Sequence, residues 1–251
     1  MAENQEIFAS RLELVREFRE FENPTPTPDI DIVWVFSGHS TYDEQLQPSP
    51  LAYTITDYAK FFRKEDRQRI ARGIGLVKEV TALRLNKDKS EITEEDIQKA
   101  GPIFFYNGTG RQNHVLREAI ADGKIALPQD KIIISEISPK LDPTPQEANT
   151  KTQFEQFPDD LLQKILGHKG KIAIVSHLYH LLRIRRQAKS PNLVAQQPAW
   201  AELDLTYFAA DPNLESERGQ IHRHAAKLLQ ILRKEGEKVV EYSRKGDLQE
   251  I

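Results

Sequence analysis

The sequence predicts an α/β fold: a three-layer α/β/α Rossmann-like domain with a mainly parallel sheet and an N-terminal helical extension. Three observations carry this. Apolar runs rich in β-branched and aromatic residues, such as 30–36 and 131–137, are too short for typical helices and read as buried strands. These runs alternate with helical patterns, as βαβ crossovers and a parallel sheet require. No internal repeat, low-complexity tract or Gly/Ser linker divides the chain. The expected organisation is an N-terminal helix and Pro-rich linker over 1–28, then one α/β domain over 29–251.

The elements follow in order. Phe8, Leu12, Val15 and Phe18 recur at helical spacing, so 5–22 reads as a helix, stopped by Thr25-Pro26-Thr27-Pro28. Its stripe packs on the domain or forms a dimer face. The run at 30–36 is a strand ending in Ser37-Gly38-His39-Ser40. Residues 43–60 lack periodicity and read as a loop. Residues 65–85 form a helix with Ile70, Ile74, Val77 and Val80 inward and Arg67, Arg69 and Arg72 along another face. Thr93 caps a helix with acids in its first turn. A strand at 102–106 turns through Asn107-Gly108-Thr109-Gly110 into a helix over 111–121 that Gly123 ends. The strand at 131–137 runs into a loop with Pro139, Pro143 and Pro145. A helix over 152–166 ends at Gly167, and the strand at 171–176 passes straight into a helix from His177. A fifth strand covers 203–208, and a closing helix runs from Ser216 to about Tyr242.

Composition narrows the function. The 251 residues carry 35 Lys+Arg against 38 Asp+Glu, a formal charge of -3, which argues against a nucleic-acid protein working by phosphate neutralisation. Cysteine is absent, so disulfides, Cys-ligated zinc, iron–sulfur clusters and thiol nucleophiles are excluded. No apolar stretch is long enough to span a bilayer, and the acidic N-terminus is unlike a signal peptide, so a cytoplasmic protein is expected. Metal-ligand spacing is absent as well: His222 and His224 are two apart and cannot share a helix face.

In an open parallel sheet, ligands bind beyond the carboxyl ends of the strands. The polar clusters of this chain fall there. Ser37 and Gly38 follow the first strand. Asn107, Gly108, Thr109 and Gly110 follow the second; this turn either receives an anion on its N–H groups or is a tight turn capped by Asn and Thr. It is neither a dinucleotide fingerprint nor a Walker loop. Glu136 ends the third strand as a candidate acid or hydroxyl-binding carboxylate, or as a cap of the loop that follows. Ser176, His177, Tyr179, His180 and Arg183 follow the fourth. His180 and Arg183 are three apart on one helix face, a proton-exchanging imidazole beside a guanidinium fork for phosphate or carboxylate. The alternative is a capping histidine and a surface ion pair. Arg185, Arg186 and Lys189 continue the charge mostly as a solvated face.

Residues 30–210 resemble the YdcF/SanA/ElyC-like family of domains of unknown function. The hydrophobic strand and Gly-containing turn are matched by Val33-Trp34-Val35-Phe36-Ser37-Gly38. The family's Arg-x-x-x-small-x-x-Leu helix is matched by Arg69, Gly73 and Leu76, and its Ser-Gly-Gly turn corresponds to Asn107-Gly108-Thr109. Its Glu … Asn-Thr-x-Glu-Asn segment corresponds to Glu136 and Asn149-Thr150-Lys151-Thr152-Gln153. The most specific match is the family's Tyr-His-x-x-Arg, here Tyr179-His180-Leu181-Leu182-Arg183. Asn107, Thr109, Thr152 and Gln153 depart from the family residues at their positions. The resemblance implies a Rossmann-like fold, the soluble branch of a bacterial family, and S-adenosylmethionine as a ligand.

The expected function is binding of a nucleotide-like or phosphorylated small molecule at the strand ends. His180 and Glu136 are the candidate catalytic groups. The resemblance adds Ser37, Gly38, Arg69, Asn107, Gly108, Thr109, Asn149, Thr150, Gln153, Ser176, Tyr179 and Arg183 as ligand-binding residues. Two alternatives stand beside it: a non-catalytic sensor or partner-binding protein using the aromatic 42–62 region, and an envelope-linked role on a lipid phosphate. Neither nucleic acid nor a membrane span is expected.

Overall fold

The computed structural model describes residues 20–21, 24–37, 66–138, 140, 148–210 and 245. Outside the described residues lie Gly38, most of the 5–22 helix, the 43–60 loop and the 42–62 aromatics. So do Pro139, Pro143, Pro145 and the 216–242 helix with His222 and His224. The elements are β1 (Ile30–Phe36), α1 (Asp66–Leu85), α2 (Glu94–Ala100), β2 (Ile103–Gly108), α3 (Gly110–Ala121), β3 (Ile132–Glu136), α4 (Thr150–Glu155), α5 (Asp159–Gly167), β4 (Lys171–Ser176), α6 (Leu178–Ala188), α7 (Pro191–Gln196) and β5 (Asp204–Ala209). The sheet has five strands in the order β3-β2-β1-β4-β5, with parallel β1–β2, β2–β3 and β4–β5 ladders. This is the three-layer α/β/α Rossmann-like architecture that the alternation of runs predicts. Two compact units make up the chain: Pro26–Phe157, and Pro158–Ile251 together with Met1–Thr25. Among the described residues no helix is long and apolar enough to cross a membrane.

In the Pro26–Phe157 unit, β1 is buried on both faces, which is why it reads as a continuous apolar run. Trp34 is fully buried, with ring centroids 4.2 Å from Phe36, 5.5 Å from Phe105, 5.1 Å from Phe154 and 4.8 Å from Phe157. Helix α1 packs closely because Gly73 has no side chain: a Cβ there would lie 2.4 Å from Val35 Cγ2 and 3.0 Å from Phe104. At the amino end of β1, Arg84 donates from Nε to Pro28 O (2.7 Å), from Nη1 to Ala100 O (2.9 Å) and from Nη2 to Ile30 O (2.8 Å). One side chain thereby ties together three carbonyls from the entry to β1 and the end of α2. Thr93 and Asp96 form the capping box that starts α2. The register pairs Phe36 with Asn107 and Asn107 with Ser135, so the carboxyl ends of the three strands lie level.

Two expectations are corrected. The helix predicted over 152–166 is two helices, α4 and α5, because Pro158 cannot donate to the preceding turn and serves as the N-cap of α5. The positive face of α6 is not mainly solvated. Arg186 is buried, and Arg185 pairs with Glu20 and lies 5.7 Å over the Phe21 ring. Only Lys189 of the three is exposed. Phe21 in turn meets Tyr207 of β5 at 5.6 Å. Ser190 caps the short α7, with Pro191 opening its first turn.

Candidate functional site

At the carboxyl ends of β1 and β2 the Pro26–Phe157 unit gathers a buried polar cluster. Ser37, one residue past β1, donates from Oγ to Asn107 O at 2.9 Å. Asn107 sits inside the end of β2, its Oδ1 accepting from Trp34 Nε1 at 2.9 Å and its Nδ2 donating to Gln153 O at 2.8 Å. Gln153 Nε2 donates to Ser37 O at 3.0 Å and to Ser37 Oγ at 2.8 Å. That pair of acceptors fixes the amide's orientation and leaves Gln153 Oε1 turned the other way. Oε1 is buried and has no hydrogen-bond partner among the described residues, although Gln153 as a whole is only 4% exposed.

The local sequence explains how Gln153 gets there. Asn149 Oδ1 accepts from Lys151 N (2.9 Å) and Thr152 N (3.1 Å), and Asn149 N donates to Thr152 Oγ1 at 2.9 Å. This capping box starts α4 and sets the first turn, which carries Gln153. Asn149 therefore acts through position. Thr150 is buried in the same turn.

The turn into α3 is largely occupied by its own side chains. Gly108 N donates to Asn113 Oδ1 (3.1 Å), Thr109 N to Gln112 Oε1 (2.9 Å) and Gln112 N to Thr109 Oγ1 (3.3 Å). These three amides serve the capped-turn reading of the sequence. Gly108 is glycine because a Cβ would lie 2.7 Å from the Tyr106 ring and 3.0 Å from Asn113 Oδ1. Asn113 further donates to Gly108 O and Ser135 O.

Beside this turn lies a second network that sequence reasoning missed in part. Arg69 and Asp66 form a buried ion pair at 2.5 Å, with side chains 1% and 4% exposed. Asp66 Oδ2 also accepts from Tyr106 Oη at 3.1 Å and from Gln112 Nε2 at 3.2 Å. Arg69 thus belongs to the buried face of α1, not to the face of Arg67 and Arg72. Its burial follows from the carboxylate three residues earlier. The Thr109-x-x-Gln112 spacing was the legible signal of the capping box; Asp66 and Tyr106 had none beyond the i,i+3 spacing to Arg69. Glu136 does not join either network. It ends β3 exposed, with Oε1 3.5 Å from Arg117.

The Pro158–Ile251 unit carries its own strand-end cluster. Ser176, the last residue of β4, is buried and lies 3.0 Å from His180 Nδ1 through Oγ. His177 N-caps α6 in extended backbone, and its carbonyl accepts from His180 N (2.9 Å) and Leu181 N (3.1 Å). The hydroxyl therefore orients the His180 ring, and the direction of that bond sets which ring nitrogen carries the proton. Arg183 is half-buried three residues on, and Tyr179 stands in the first turn of the same helix. The chemistry open to this cluster is proton exchange at an oriented imidazole and anion pairing by a guanidinium.

No family model, curated protein or solved structure matches the chain.

Proposed function

We propose that the protein binds a nucleotide-like or phosphorylated small molecule at the carboxyl ends of its strands. One observation carries this reading: the buried Gln153 Oε1 that lacks a partner among the described residues. A buried acceptor left unmet costs about 1–3 kcal/mol, and buried polar atoms are otherwise almost always satisfied. A ligand donor, such as a ribose hydroxyl or an exocyclic amino group, relieves that cost on binding. Ser37, Asn107 and the capped start of α4 hold the acceptor rigid, so little side-chain entropy is lost when the donor arrives. The Ser176–His180 pair and Arg183 stand as a second candidate cluster, with His180 moving a proton and Arg183 holding an anionic group. S-adenosylmethionine is one version of the ligand, with the family resemblance as its only warrant. The exposed, Arg117-paired Glu136 adds no electrostatic support for a sulfonium.

A thermal-shift panel tests the reading. The ligands are S-adenosylmethionine, its demethylated product, nucleotides, sugar phosphates and isoprenyl phosphates; the proteins are wild type, Gln153→Met and Arg183→Ala. A ligand at 100 times its Kd stabilises by about 2.7 kcal/mol, a shift of roughly 5–10 °C for a chain this size. The shift is lost in Gln153→Met if the acceptor is used, and in Arg183→Ala if the second cluster takes part. No shift with any ligand in the wild type contradicts the proposal and favours a partner-binding protein.

A further inference from the structure

The Pro158–Ile251 unit, with its Met1–Thr25 segment, holds a cavity of about 640 Å³ whose lining includes none of Ser176, His180 and Arg183. Its size falls within the range of small-molecule sites, roughly 300–1,000 Å³. Trp200, Leu205, Val194 and Phe21 give it apolar and aromatic walls, and Tyr207, Lys189 and Arg185 give it polar ones. Two of these polar groups stand out. The Tyr207 hydroxyl is buried and has no hydrogen-bond partner among the described residues, with the residue 9% exposed. Burial pushes this phenol well above its ordinary range, against a smaller opposing effect of Arg185, so it stays protonated and able to donate. Lys189 is the other. Arg185 is already paired with Glu20 and stacked on Phe21, and Asp204 pairs with Lys171 at 3.2 Å. Lys189 is the lining cation with no ion pair among the described residues.

The Trp200 indole does not compete for a ligand, because its Nε1 donates to Gln197 Oε1 at 2.7 Å. What remains is a mostly apolar chamber with a buried O–H donor and an ammonium at its wall.

We propose that this cavity is a second binding site, taking a small amphipathic anion whose apolar or aromatic body packs on Trp200 and Leu205. A carboxylate oxygen of that ligand accepts from the Tyr207 hydroxyl, and its charge is matched by Lys189. The site is independent of the strand-end reading, since it shares no residue with Gln153, His180 or Arg183.

The probes are 3-phenylpropanoate and its uncharged analogue 3-phenylpropanamide, titrated calorimetrically into the full chain. The variants are Tyr207→Phe, Lys189→Met and Trp200→Phe. Tyr207→Phe removes only a hydroxyl that lacks a partner among the described residues, so the fold survives it, and its thermal midpoint checks this. Wild type is expected to bind the carboxylate saturably and the amide about tenfold more weakly. Tyr207→Phe weakens carboxylate binding about tenfold or more, as loss of a hydrogen bond to a charged group does. Lys189→Met weakens the carboxylate and leaves the amide unchanged. Quenching of tryptophan fluorescence by the carboxylate disappears in Trp200→Phe, which reports the location. Absence of saturable binding up to millimolar carboxylate overturns the proposal, and so does an unchanged Kd in Tyr207→Phe.

Discussion

The two ends of the strands in the Pro26–Phe157 unit are built from similar parts and finished differently. At the amino end, Arg84 spreads its donors over Pro28 O, Ile30 O and Ala100 O. At the carboxyl end, Ser37, Asn107 and Gln153 bond to one another, and Gln153 Oε1 is left over. Both ends tie loops to the sheet. Only the second retains a buried polar atom without a partner among the described residues, and an excess of that kind is a cost to folding that binding can relieve. The difference separates residues that hold the fold from those that meet a ligand, and each substitution below presses on one side of it.

The largest effect belongs to Asp66→Ala. It removes the buried carboxylate that Arg69, Tyr106 and Gln112 all bond to, and the expected loss is about 3–5 kcal/mol, read by urea denaturation. Gly73→Ala comes next. The new methyl meets Val35 and Phe104, both fully buried, and overpacking of this kind costs about 1–3 kcal/mol. Arg84→Met removes the donors of the amino end. Because that side chain is 24% exposed, water takes part of their place, and about 1–2 kcal/mol is expected. Ligand-induced stabilisation stays at the wild-type value in Arg84→Met, and a change there would collapse the distinction between the two ends. Gln153→Met has the smallest effect on the fold, within about 1 kcal/mol, since it gives up two bonds to Ser37 while removing the orphaned acceptor. Its effect on binding is the largest of the set.

The legibility of these features follows the range of the interactions that make them. Strands buried on both faces announce themselves as apolar runs, so β1, β2 and β4 and the polar residues just past them are visible in the chain. Caps are visible too, since Thr93 with Asp96 and Thr109 with Gln112 obey a three-residue spacing. The break at Pro158 was legible from proline chemistry, yet the apolar pattern running through it reads as one helix. Long-range choices leave no local trace. That Asp66 meets Gln112, that Asn107 spends both ends of its amide on Trp34 and Gln153, and that Gln153 Oε1 meets no donor among the described residues all depend on packing between distant segments. Arg186 shows the converse, where a basic stretch reads as solvated and burial is decided by what packs on it. Tyr207 is an ordinary strand aromatic in sequence and becomes notable only when its hydroxyl is seen to be buried with no hydrogen-bond partner among the described residues.

The central claim is that the carboxyl end of the Pro26–Phe157 unit is a binding site. The most direct measurement compares wild type, Gln153→Met and Arg84→Met in the nucleotide and phosphate thermal-shift panel. The account predicts a shift of roughly 5–10 °C in wild type and Arg84→Met with at least one ligand, and its loss in Gln153→Met. An equal shift in all three proteins, or none in any, would contradict it.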